Sequence, residues 1–242
     1  MLLPRVIVGL TASLALLSGC SAAATTTTTA APAGTAASPA APAGTALTPD
    51  AFVEKVTTAM QSVTSYALDM TTTTGGKKTT MQGVVKADAG RTTAMHITMG
   101  GETATELIMI DGKFFMKAPT GWVKMPESAT QSMDLSQTDQ TQWMRDNKGA
   151  IAKVELVGSE AINGVQADHY RIDLDLSKVA GASASAAKIT NYETWLDSEG
   201  RMVKMLMSTE VSGTSTELEM LVSKYNEPVE ITAPADYTEM PG

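Results

Sequence analysis

Few side chains in this sequence are equipped for covalent or acid–base chemistry. Cysteine occurs once, at Cys20, and histidine twice, at His96 and His169. Both histidines lie in alternating segments that read as strands, and nothing in their spacing points to a shared metal site. Each reads as a surface or half-buried strand residue. Asp173-x-Asp175-x-Ser177 begins like a calcium loop, but Lys178 stands where the loop needs glycine and Ala184 where it needs a bidentate glutamate. The two aspartates therefore read as the wet face of a strand. No Gly-x-Ser-x-Gly, His-Glu-x-x-His or phosphate-cradling glycine loop is present. With no converging acid, base and nucleophile, the sequence reads as a binder and not an enzyme, with no metal or cofactor expected.

That leaves the thiol of Cys20, whose neighbours explain it. Behind Met1 and the single charge of Arg5 runs an apolar segment, Val6 to Leu17. Its length suits a signal-peptide h-region and is too short to span a bilayer as a helix. It ends Leu17-Ser18-Gly19-Cys20, and the sequence that follows could not continue a core helix around a buried thiol. The ending resembles the lipobox of bacterial lipoproteins. The resemblance implies that residues 1–19 are a signal peptide, that Cys20 carries a diacylglyceryl anchor, and that the protein sits on the extracytoplasmic face of the cell membrane. Two acyl chains at about 0.8 kcal/mol per buried CH₂ then hold it there.

Residues 20–48 follow as a tether. After Cys20, residues 21–48 are Ala, Thr, Pro, Gly and Ser with one Leu, including five threonines from Thr25 to Thr29. Such a composition cannot bury a core, and a coil of this length reaches about 30 Å. It reads either as a bare linker or as an O-glycosylated one. Removal of residues 1–19 takes one positive charge from a chain of formal net charge −8. With pI near 4.8, a nucleic-acid partner is excluded for want of a basic stripe. With Cys20 lipidated no disulfide is left, so the domain depends on core burial alone.

The elements that must form the domain, residues 49–242, are legible in order. Thr48-Pro49 is a helix start, cap then first helical position. Phe52, Val53, Val56, Met60 and Val63 repeat at helical spacing, which predicts a helix to about Val63. The period then changes to two. Strands are expected over 66–71, 81–86, 95–99, 105–110, 113–117 and 121–125, with Asp111-Gly112 a hairpin turn. Residues 126–149 break the rhythm with a short helix near Asp139 to Asn147. Strands resume at 151–161, 165–176, 189–197, 201–211 and 216–225, with Asn163-Gly164 a second turn of the hairpin kind and 178–188 a weak helix or a loop. Tight turns imply antiparallel pairing. The fold class is thus α+β: a single curved antiparallel sheet of about eleven strands, a half-barrel, with the N-terminal helix and one or two more covering its concave face.

The composition of that interior is unusual, with sixteen Met against three Phe. Methionine is unbranched and polarizable and adapts to ligands of variable shape. Strand alternation puts Leu68, Met70, Met81, Met95, Ile97, Met99, Met109, Ile172, Leu174, Met205, Met207 and Met220 in line for the inward face. They would form either a deformable cavity for acyl chains or an ordinary core filled with methionine.

Several segments carry a further resemblance. These are Asp50 to Tyr66, Ile110-Asp111-Gly112-Lys113-Phe114-Phe115-Met116-Lys117, Gly121-Trp122-Val123-Lys124, Gly164 to Tyr170, Trp195-Leu196-Asp197 with Gly200-Arg201, and Tyr225 to Ile231. They are similar to actinobacterial lipoproteins of the LppX/LprAFG type, over nearly all of residues 49–235, and more widely to the LolA/LolB carriers. The resemblance implies a curved half-barrel closed by helices over an apolar cavity. It also implies binding and transfer of lipids or of lipoglycan acyl chains across the envelope, with a membrane transporter as a further partner. The alternative is a non-transporting envelope sensor or scaffold that meets a partner protein at the sheet edge or at 126–149.

Overall fold

The structure, a computed structural model, describes residues 46–101, 104–126, 140–179 and 187–240. The signal segment, Cys20 and nearly all of the tether lie outside these, as does most of 178–188.

The chain enters the fold through helix α1 (Pro49–Gln61). Thr48 caps it by accepting a hydrogen bond from the Ala51 amide at 3.3 Å, and Pro49 opens the first turn. Phe52, Val53, Val56, Ala59 and Met60 form its buried side. Thr57 is also buried, and its hydroxyl donates to the Val53 carbonyl at 2.7 Å, which satisfies the polar atom within the helix.

Twelve strands form one open, curved sheet. Six follow α1: β1 (Ser65–Thr74), β2 (Lys77–Asp88), β3 (Arg91–Gly100), β4 (Thr105–Ile110), β5 (Lys113–Ala118) and β6 (Gly121–Lys124). Helix α2 (Gln140–Asp146) comes next, then β7 (Ile151–Ile162), β8 (Val165–Leu174), β9 (Ala187–Asp197), β10 (Met202–Val211), β11 (Thr214–Ser223) and β12 (Tyr237–Glu239). At Asp111-Gly112 both residues have positive φ, 52° and 72°, and at Asn163-Gly164 they have 49° and 84°. That is the backbone a two-residue hairpin needs to match strand twist.

The sheet order is β12-β6-β5-β4-β3-β2-β1-β11-β10-β9-β8-β7. Two runs of hairpin-linked strands, β1 to β6 and β7 to β11, thus meet at one non-local seam. There β1 pairs with β11 from Ala67↔Ser223 to Thr74↔Thr216. Eleven strands pair antiparallel as the sequence implied. The twelfth is an addition: the Pro-punctuated tail ends in β12, which lies parallel to β6. Strand β8 also stops earlier than expected, at Leu174. Asp175 is not on a strand face but caps a short 3₁₀ turn, accepting from the Ser177 amide at 3.2 Å.

The two faces of the sheet are covered differently. Helix α1 lies on the β8–β11 region, where Phe52, Val53, Val56, Met60 and Val63 pack with Tyr170, Ile172, Leu196, Met202 and Val222, and α2 adds Met144. Phe52 meets Tyr170 edge to face at 5.8 Å. On the opposite face Ala94, Ile108 and Phe115 are covered by Ile231 of the C-terminal segment. Phe115 also meets the Tyr237 ring edge to face at 5.1 Å. A third cluster, Ala167, Trp195 and Val203, lies on that opposite side of β8–β10.

Candidate functional site: an apolar pocket beneath helix α1

Strand register places all twelve of the cavity candidates on the face that carries α1, in distinct groups. Leu68 pairs with Val222, and Met220 with Met70; Leu68 and Met220 line the pocket described next. Ile172 is buried in the core under α1, with Leu174 and Met205 packed against it. Met70, Met81 and Met99 are half-buried across β1, β2 and β3, and Met207 is half-buried on β10. Ile97 and Met109 are buried, and Met95, half-buried, pairs with Met109.

The pocket is the space that α1 leaves above the sheet. Phe52, Val56 and Met60 roof it, Met144 closes one side, and Tyr66, Leu68, Met220, Val222, Leu196 and Met202 floor it, with Tyr192, Thr194 and Tyr225 completing the wall. Two polar groups of this wall bond to backbone carbonyls. Thr194 donates to the Lys204 carbonyl at 3.3 Å and Tyr225 to the Met202 carbonyl at 2.5 Å. Burial alone pushes Tyr192 up to about 12 and, as the largest cause, raises Tyr66 and Tyr225 as well. The lining is therefore apolar and its phenols stay neutral.

The volume is about 70 Å³, well below the roughly 300 Å³ at which pockets begin to bury a drug-sized ligand. A ligand of that size fits only if the lining, α1 included, rearranges. What holds α1 near the β9–β10 turn is close contact: a Cβ on Gly200, whose φ is +88°, would lie 2.8 Å from Lys55 Cγ and 3.1 Å from the Lys55 carbonyl. The turn itself is fixed by Asp197. Its carboxylate accepts from the Glu199 amide at 3.0 Å, the Arg201 amide at 2.9 Å and Arg201 Nε at 2.8 Å. Beside the pocket, sharing Val222 and Tyr225 with it, is a larger groove of about 260 Å³ with a mixed lining that includes Asn163, Arg201 and Lys224.

The sequence reading identified the buried stripe of α1 but not that Phe52, Val56 and Met60 roof a space. Nor did it single out Tyr66, Tyr192, Thr194, Leu196, Met202, Val222 or Tyr225. The register of β9 and β10 across the β1–β11 seam brings these together, and no local pattern encodes it. The histidines are well apart. His96 lies on β3 with Nε2 3.2 Å from Glu106 Oε2. His169, on β8, stacks on Trp195 at 4.0 Å, its Nε2 3.4 Å from Glu193 Oε2. Among the described residues no group of three or more His, Cys, Asp or Glu side chains could hold a metal, and no helix is long and apolar enough to cross a membrane.

An open curved sheet carrying a helix over an apolar pocket defines the class. The sequence profile of the LppX_LprAFG lipoproteins matches residues 48–231, and the chain belongs to that family. Two solved structures share its fold. LprF from Mycobacterium bovis is 13% identical with a TM-score of 0.57, over 78% of this chain and 97% of that one. Lipoprotein LppX from Mycobacterium tuberculosis is 15% identical with a TM-score of 0.52, over 76% of this chain and 98% of that one. No curated protein sequence matches the chain.

Proposed function

We propose that the protein is a membrane-anchored lipid binder of the cell envelope, moored through Cys20 on the extracytoplasmic side, that takes acyl chains of lipids or lipoglycans beneath α1 and passes them on to a membrane transporter. The observation that carries this reading is the apolar pocket. Four of its thirteen lining residues are methionines, Met60, Met144, Met202 and Met220. Their side chains re-pack around ligands of different shape at little cost. A chain tail under α1 would leave its polar end toward the neighbouring groove with Arg201 and Lys224.

Protein starting at Ser21, without the anchor, should copurify with lipid in native mass spectrometry and take up a fluorescent fatty acid. Leu68→Trp, at the floor of the pocket, should block uptake with modest loss of stability. A lipid-free mass together with no uptake would remove the reading. The small volume favours one competitor, a scaffold whose core stays shut and whose ligand is a protein. Crosslinking in cells that yields a stoichiometric protein partner with no lipid would select it.

A further inference from the structure

One feature of the sheet exceeds what an acyl-binding surface requires. On the α1 side, the residues at one level of five consecutive strands are all methionine: Met205 on β10 pairs with Met220 on β11, Met220 with Met70 on β1, Met70 with Met81 on β2, and Met81 with Met99 on β3. The row stops at threonine on both sides, Thr194 beyond Met205 and Thr105 beyond Met99. The level next to it reads Met202, Val222, Leu68, Gly83, Ile97, Leu107, with a single methionine. The level on the other side reads Met207, Leu218, Thr72, Thr79. Leucine, isoleucine and valine serve elsewhere on this face, so apolarity alone does not account for five thioethers in register.

We infer that this row is a binding site for a soft monovalent cation, Cu(I). Thioether sulfur is a soft ligand that selects Cu(I) over hard divalent ions. Directly opposed residues of antiparallel strands hold their Cβ atoms about 4.5–5.5 Å apart. Three neighbouring methionines, each with several free torsions, can therefore turn their sulfurs onto one ion, and the centre of the row, Met220, Met70 and Met81, is the place. All five side chains are half-buried: dry enough that sulfur competes with water, and open enough for an ion to reach them. No carboxylate, imidazole or thiol belongs to the row, so Zn(II) and Cu(II) find no ligand set there. The inference stands independently of lipid binding.

The test uses the full chain in non-ionic detergent with Cys20→Ser throughout, which removes the one thiol. Under anaerobic reducing conditions it should withdraw about one equivalent of Cu(I) from a chromogenic Cu(I) chelator, with only sulfur in the first shell by X-ray absorption. Ag(I) serves as the redox-inert probe. The triple variant Met70→Leu/Met81→Leu/Met220→Leu keeps volume and apolarity and should bind at least about tenfold more weakly. A control with Met60, Met144 and Met202 changed to leucine should bind as the parent does. If the triple variant fails to fold, Met70→Leu alone should still weaken binding. No uptake by the parent, equal uptake by the row variants, equal loss in the control, or nitrogen and oxygen ligation would each overturn the site.

Discussion

Replacing Phe52 by alanine tests whether ligand really goes beneath α1. The ring is 1% exposed and contacts the Tyr170 ring at 5.8 Å. Removing a buried phenylalanine costs about 3–5 kcal/mol, of which the aromatic pair accounts for about 0.5–1.5. Where in the range it falls depends on the roof. The new void adds to the 70 Å³ already present, and each 40 Å³ that stays open costs about 1 kcal/mol. A helix that holds its place gives the upper end, and one that sinks onto the sheet gives the lower. Against a total of about 5–15 kcal/mol for a domain the loss is severe but measurable by urea titration. Fatty acid then discriminates. At a hundred times Kd a ligand adds about 2.7 kcal/mol. The wild-type protein must first lift α1, which reduces its apparent affinity, whereas a variant whose helix holds its place, recognised by a loss near the upper end of the range, has the space already made. The same fatty acid concentration should therefore stabilise Phe52→Ala more than wild type. Equal stabilisation of the two, or none in the variant, would show that the chain binds elsewhere.

Other perturbations probe the frame around the pocket. Gly200→Ala should lose at least about 1–2 kcal/mol from the left-handed backbone alone, and more from contact with Lys55, read as a lower midpoint in chemical denaturation. Asp197→Ala should cost about 3 kcal/mol by stripping the turn of its acceptor and leaving Arg201 half-paired, while Asp197→Asn, which keeps one acceptor oxygen, should cost less. Ile231→Ala should cost about 2–5 kcal/mol yet leave fatty-acid uptake unchanged, because Ile231 covers the face away from α1. In alkali, Tyr192 has a folded pKa near 12 against an ordinary 10. Its contribution is complete below about pH 10 and is lost as pH rises toward 12. Tyrosinate absorbance should therefore lag free tyrosine and rise with unfolding, and Tyr192→Phe should shrink that late component by one tyrosine, leaving the share of Tyr66, Tyr170 and Tyr225.

Much of the frame was readable because it is local. Thr48-Pro49 announces α1, Asp111-Gly112 and Asn163-Gly164 announce their hairpins, and the alternation of Tyr170, Ile172 and Leu174 against Arg171 and Asp173 gives β8 its buried side. What escaped is non-local. Strand β12 has three residues and sits in a tail punctuated by Pro228, Pro234 and Pro241. Its pairing with β6 spans more than a hundred residues and leaves no trace in periodicity. That Met220 faces Met70 depends on how β1 registers on β11, and that Tyr192 and Tyr225 line one pocket with Phe52 depends on how β9, β10 and β11 pair. Sequence spacing places each methionine on a face, but only that register shows which five stand side by side.

The seam between β1 and β11 also dictates how the molecule must come together. Each run of hairpins can zip from its own turns, but Thr74 and Thr216, whose hydroxyls lie 3.0 Å apart, are separated by 142 positions. Closing so long a loop costs about 4 kcal/mol in chain entropy before any seam hydrogen bond repays it. The two ribbons should therefore mature first and join late and slowly. Cut between β6 and α2, the two pieces should still find each other, now at a rate set by their concentration.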